Sequence, residues 1–316
     1  MKNEAVPVMR KKKTGFFGEM HQNFWLYMLI VPCILFAIIF KYLPMVGIVI
    51  AFQDYNPIKG MFGSEFVGLD NFKYFFRGSQ WLQITFNTLY LNVLFIVTGT
   101  IASIAIAIMI TELGKNWFVR LNQSVMIFPN FISYAVVAMF AQAFIGSDDG
   151  YVNQWIEMFG GTPISFYSEP GVWPLILVII RIWKGAGYGA IVYMAAIVGI
   201  DNGVYEAARI DGASRMQTIF RITLPMLKDT VILLTLLSVG NIFYGDFGMI
   251  YTLVGDNSML FETTDVIDTY VFRSIRTSGS MGMSAAVGLY QSLIGFFLVI
   301  GVNALAKKFS PESAIF

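Results

Sequence analysis

Three charges stand where charges are expensive. Arg181 and Lys184 lie one helical turn apart inside an apolar run of the 316-residue chain, and Asp246 lies inside the next run. An ionised side chain deep in hydrocarbon needs a counter-charge, a cage of hydrogen-bond partners or water. Two readings stand side by side. Asp246 pairs with Arg181 or Lys184 as glue between helices, or the three charges line a wet path through the membrane. Trp183, Gly185 and Tyr188 surround the first two, and Asn241, Tyr244 and Phe247 surround the third. Aromatic faces beside hydrogen-bonding groups suit a sugar, whose ring faces are apolar and whose rim is hydroxyl. The same residue types also serve plain helix packing.

A polar island runs from Tyr205 to Pro225 between two long apolar segments. Glu206 to Asp211 holds good helix formers, Ala207 and Ala208 among them, and neither Pro nor Gly. Gly212 supplies a turn without a Cβ penalty. Met216, Ile219, Phe220 and Leu224 then recur at helical spacing, with Arg215, Gln217 and Arg221 among them. The pattern predicts a short helix, a glycine turn and a second amphipathic helix over 213–222, with Pro225 at the start of the next long segment. Such an element can dock into a partner's groove, its small Ala side chains allowing close approach and Glu206 facing a basic residue. It can equally lie on the bilayer as a solvated amphipathic helix.

Other chemistries lack their residues. Cys33 and His21 are each the sole residue of their type, too few for a zinc site or a Cys/His nucleophile pair. No phosphate-cradling G-x-x-x-x-G-K-[ST] occurs, and Glu262, Asp265 and Asp268 read as a solvated face. The net charge of +1 gives no reason to expect nucleic acid binding. The expectation is a non-catalytic chain.

The elements that must position these residues are membrane spans. The chain is 56% hydrophobic and 13% charged, against about 25% charged in soluble domains. Six apolar runs are long enough to cross about 30 Å of hydrocarbon, at about 25–51, 82–111, 123–145, 172–199, 227–251 and 284–306. The basic stretch with Lys2, Arg10, Lys11, Lys12 and Lys13 precedes a run too long for a cleaved signal. It falls on the same side as Lys115, Arg120, Arg209, Arg215, Arg221, Lys228, Lys307 and Lys308. Lys59, Lys73, Arg77, Arg273 and Arg276 fall on the other side. This bias places both termini and the 201–226 loop in the cytoplasm of a cell membrane. The domain reading is therefore a cytoplasmic segment 1–24, a six-span all-α domain 25–306 and a cytoplasmic tail 307–316. Among the outer segments, Asp54–Pro57 is a turn, Asp70 stands as an N-cap for Asn71 onward, and Val152–Phe159 is a short amphipathic piece.

The 205–225 stretch resembles the EAA loop of the membrane subunits of ABC importers. That pattern is E-A-A, three residues, G, nine residues, I, one residue, L-P. Glu206, Ala207, Ala208, Gly212, Ile222, Leu224 and Pro225 meet it at every position, with Asp211 beside the glycine. Val67-Gly68-Leu69-Asp70-Asn71-Phe72 resembles an element seen before the second span of sugar permeases. Trp183, Gly185 and Tyr188 match the W-x-G-x-x-Y stretch of type I sugar permeases, and Tyr244–Gly248 aligns with their aromatic, Asn-rich stretch. Gly245, Asp246 and Gly248 stand where asparagines are typical there. The likeness runs from the first span to the sixth, nearest to permeases for oligosaccharides and polysaccharide fragments. It implies ATP-driven carbohydrate import by alternating access, with the loop docked on ATP-binding subunits. It also implies a second permease subunit, two ATPase subunits that bind ATP and magnesium, and an extracellular solute-binding protein. No cofactor is expected in this chain. Permeases for amino acids or peptides share the loop, and a secondary transporter is the remaining transport alternative. Arg181 and Lys184 point to an acidic saccharide such as a uronate oligomer.

Overall fold

The computed structural model describes residues 23–114, 117–146 and 150–309. The basic residues up to Lys13, His21, Lys115 and the tail beyond Phe309 lie outside the described residues. The rest is a bundle of helices with one small antiparallel hairpin, Gln53–Asp54 against Glu65–Phe66.

Four helices cross as single spans: Phe24–Phe52, Gln80–Glu112, Pro170–Val198 and Met281–Leu305. Two expected spans are broken. The third consists of Val119–Phe131 and Tyr134–Ile145, set at 95° to each other. Pro129 tightens the chain into the 3₁₀ turn Phe128–Phe131, Ile132 is extended, and Ser133 caps the new helix by accepting the Val136 N–H at 3.4 Å. The run read as 227–251 is not one helix either. Lys228–Val239 ends at Gly240, a non-helical stretch follows, and Phe247–Val254 starts a separate helix whose N-cap is Asp246. Gly240 and Gly245 interrupt a pattern that apolar composition alone reads as continuous.

Pro225 does not begin the next span. The helix runs from Arg215 through Pro225 to Met226 and bends by 53° into Lys228–Val239. The π-helical turn Ile219–Thr223 widens the ladder just ahead of the proline ring. Asp70 is also not a cap. It occupies the first turn of Asp70–Phe76, with Leu69 at the N-cap, and pairs with Lys73 at 2.8 Å.

The long second span packs along Trp173–Val198 for most of its length. Ala107, Ile110, Ala190, Tyr193 and Met194 bury one end of this seam together with Leu227. Leu91, Phe95, Trp173 and Leu177 bury the other end against Met249, Ile250 and Leu253. Gly187 allows the closest approach: a Cβ there would sit 2.0 Å from the backbone carbonyl oxygen of Met126. That space lets the broken third span lie against the fourth.

The segments between spans are tied down by side-chain amides. Asn153 is fully buried, and its amide donates to the Ile164 carbonyl and accepts the Ile164 N–H, both at 2.9 Å. Asn257 donates to the Tyr167 carbonyl at 2.7 Å, and Trp173 Nε1 to that of Phe166 at 2.7 Å. The carboxylates expected to form a solvated face do not. Asp265 is buried and pairs with Arg273 at 2.5 Å, and Asp268 accepts from the Gly245 N–H and from Gln291 at 3.3 Å. Burial holds the Asp268 carboxyl above its ordinary range, the hydrogen bonds opposing. Glu262 alone of the three is exposed.

Candidate functional site: a polar chamber between broken spans

The two breaks open a cavity of about 780 Å³ between the second, third, fourth and fifth spans. Arg181, Lys184, Gly185, Tyr188, Asn241, Tyr244 and Asp246 line it, with Asn92, Phe95, Asn130 and Tyr134. Trp183 and Phe247 do not. Trp183 is exposed away from the cavity, and Phe247 stacks on Tyr251 at 5.2 Å and packs on Phe272 at 5.1 Å.

Arg181 and Asp246 form an ion pair across the chamber wall. Tyr134 completes it, its hydroxyl donating to Asp246 Oδ2 at 2.7 Å while Arg181 Nη1 donates to the Tyr134 oxygen at 3.2 Å. The other oxygen, Oδ1, accepts the Met249 N–H at 3.1 Å and caps the short helix. One carboxylate thus holds the fourth span, the second half of the third and the break in the fifth. Arg181 remains 44% exposed and lines the chamber.

Lys184 has a different partner. It is 9% exposed and donates to the carbonyls of Asn130 at 2.7 Å, Ile132 at 2.6 Å and Pro129 at 3.4 Å, with the Tyr134 ring 5.0 Å away. The bend in the third span leaves the Asn130 and Ile132 carbonyls without a backbone donor, while that of Pro129 also accepts the Ile132 N–H at 3.2 Å. The ammonium supplies their donors, and the negative end of a helix favours the charge. No carboxylate among the described residues lies in salt-bridge contact with it.

Tyr188, Tyr244 and Asn241 are exposed to the chamber. Among the described residues their side chains make no hydrogen bond within the chain. They are free for a hydroxylated solute. Asn92, Phe95, Asn130 and Tyr134 are site residues that the sequence pattern does not single out, and of these Tyr134 holds the ion pair. Its signal is local: Pro129, then Ser133 directly before an apolar run, which reads as a break followed by an N-cap.

At one end of the bundle the 201–226 loop forms an elbow. Asn202–Ile210 is capped by Asp201, which accepts the Gly203 N–H at 3.0 Å. Gly212 turns the chain at φ +76°. Ser214 and Gln217 then form a reciprocal capping box at 2.8 and 3.3 Å. Tyr205 and Thr223 join the two arms through their hydroxyls at 3.2 Å. Glu206, Ala207, Asp211 and Gly212 are exposed, as are the apolar Ile210, Met216 and Phe220, while Ala208 is buried. Ile222 and Leu224 are partly buried, and Pro225 is exposed. Leu227, 1% exposed at the bend, carries the elbow into the seam between the second and fourth spans.

A polar chamber walled by broken helices inside an apolar bundle, joined through a buried pivot to a rigid elbow, defines a membrane translocation subunit. The chain belongs to the family of binding-protein-dependent transport system inner membrane components, whose pattern matches residues 96–311. It is a permease subunit of an ABC importer.

The protein LplB of Bacillus subtilis (strain 168) is 36% identical over 311 residues, covering 98% of this chain and 97% of LplB. The polygalacturonan/rhamnogalacturonan transport system permease protein YteP of the same organism is 35% identical, over 98% and 96% of the two chains. Among solved structures, a chain of a bacterial ABC transporter that imports the acidic polysaccharide alginate superposes with a TM-score of 0.83. It shares 30% identity over 93% of this chain and 99% of its own. A second structure of an alginate transporter, in complex with alginate pentasaccharide-bound periplasmic protein, gives 0.84 at 30% identity.

Proposed function

We propose that the chain carries an acidic oligosaccharide across a bacterial cell membrane, received from an extracellular solute-binding protein. It works beside a second permease subunit and two ATP-binding subunits. ATP and magnesium are bound by those subunits, and hydrolysis takes place there. Residues 1–24 and 307–316 and the 201–226 elbow lie in the cytoplasm, where Glu206, Ala207, Ala208, Asp211 and Gly212 meet the ATPase. Ile222, Leu224 and Pro225 transmit its motion. The bundle alternates between inward- and outward-facing states as the elbow moves.

One observation carries the substrate class. Arg181 stands half-exposed on the chamber wall, its charge balanced by Asp246, while Lys184 adds a positive charge with no carboxylate against it. The chamber is therefore net positive and presents guanidinium N–H groups to a planar carboxylate. Tyr188, Tyr244 and Asn241 suit the sugar rings and hydroxyls. The relatives that handle polygalacturonan and alginate support this reading.

The test is uptake by the reconstituted complex of labelled uronate oligosaccharides and of neutral oligosaccharides of equal length. Wild type takes up the uronates, and Arg181→Gln lowers that uptake at least tenfold. Preference of the wild-type complex for the neutral glycans would overturn the substrate class and leave the importer assignment standing.

A further inference from the structure

Lys41 is a fourth ionisable group inside the apolar spans, beyond the three that the sequence brought forward. It sits in the π-helical turn Ile38–Tyr42 of the first span. No residue of Phe24–Ala37 or of this turn is buried. The C-terminal part, Leu43–Phe52, packs on the last span, and the stretch around Lys41 is exposed among the described residues. Phe40, Tyr42 and Leu43 beside it are each more than 60% exposed. Among the described residues Lys41 makes no ion pair and no side-chain hydrogen bond.

Its depth makes this costly. About 25 Å of helix separates Lys41 from Phe24 at 1.5 Å per residue. About 24 Å separates it from the hairpin at Gln53 at the 3₁₀ rise. The span is longer than a hydrocarbon core of about 30 Å, and a core centred on it puts Lys41 near the middle, too deep for its four-carbon stem to bring the ammonium to a head group. Lys184 meets the same problem with three carbonyls of its own chain. Lys41 has no such cage.

We propose that Lys41 is an interface residue, paired at mid-membrane with a carboxylate of a different membrane subunit that covers the first span. A second copy of this chain cannot supply the partner. Asp246 is its one carboxylate deep in an apolar run, and Arg181 and Tyr134 already hold it. Glu112 and Asp229 stand at the ends of their helices. The lone ammonium therefore selects a non-identical neighbour, because a copy would leave two buried cations unpaired. The inference rests on the proposed assembly with a second permease subunit, and not on the substrate assigned above.

The experiment uses the whole complex in native membranes. Dicyclohexylcarbodiimide is an apolar reagent that activates buried carboxylates and joins them to an amine in direct contact. Mass spectrometry should find Lys41 linked to an Asp or Glu in an apolar stretch of a different membrane subunit. Lys41→Met should lower co-purification of that subunit at least tenfold at equal membrane content of this chain, while Lys41→Arg retains it. A link to a second copy, no link at all, or wild-type assembly of the Met variant would each overturn the proposal. Should the Met variant fail to insert, the cross-link decides. None of these readouts needs substrate, so failure here is distinct from failure of the uptake reading.

Discussion

Asp246 and Lys184 carry opposite charges and hold the same bend from two directions. Asp246 reaches it through Tyr134, and Lys184 through the carbonyls of Asn130 and Ile132. Their removal should have different consequences. Lys184→Met leaves the Asn130 and Ile132 carbonyls without their donor, each costing about 1–3 kcal/mol where buried. Thermal unfolding of the detergent-purified complex should show it as the most destabilising of the chamber substitutions. Asp246→Asn removes a pair whose arginine is 44% exposed, so solvent screening holds the loss of stability to about 1 kcal/mol. Its effect should fall on transport instead: an uncompensated Arg181 should bind the uronate more tightly and release it more slowly. Uptake kinetics should then show a lower half-saturation concentration with a lower maximal rate. All three charges were legible in the sequence because charges are rare in apolar runs. Which one pairs with Asp246 was not, since Arg181 and Lys184 are one turn apart and only the bend at Ile132 separates their partners.

The elements repeat this contrast. The four unbroken spans follow from length and apolarity, and each lies within a few residues of its expected bounds. The broken ones do not, because hydropathy averages over a window and is blind to Pro129, Ser133 and Gly240 within it. The elbow was legible for the opposite reason: it is polar and punctuated by Gly212, although its Ser214–Gln217 capping box was not read from the sequence. Two changes test it. Gly212→Pro forces a fixed negative φ on a position at +76°, and should disorder the turn and abolish ATP-driven uptake while the chain still inserts. Glu206→Ala leaves the backbone intact and should uncouple the ATPase from uptake, read as hydrolysis that no longer responds to the loaded binding protein. At Gly187, a methyl group 2.0 Å from the Met126 carbonyl cannot be accommodated by a rotamer change. Gly187→Ala should cost about 1–3 kcal/mol by pushing the third and fourth spans apart, with a matching fall in the melting temperature of the complex.

For the molecule as a whole, the chamber and the elbow matter together. Leu227 ties the elbow to the seam of the second and fourth spans, and the fourth span carries Arg181 and Lys184 into the chamber. Packed side chains thus connect the elbow to the chamber, the route that the proposed coupling would use. The most direct measurement is uptake into proteoliposomes holding the assembled complex, with ATP enclosed and the loaded binding protein added outside. Accumulation should require both and should vanish in the Gly212→Pro complex. Equal accumulation without ATP, driven by an ion gradient alone, would contradict it.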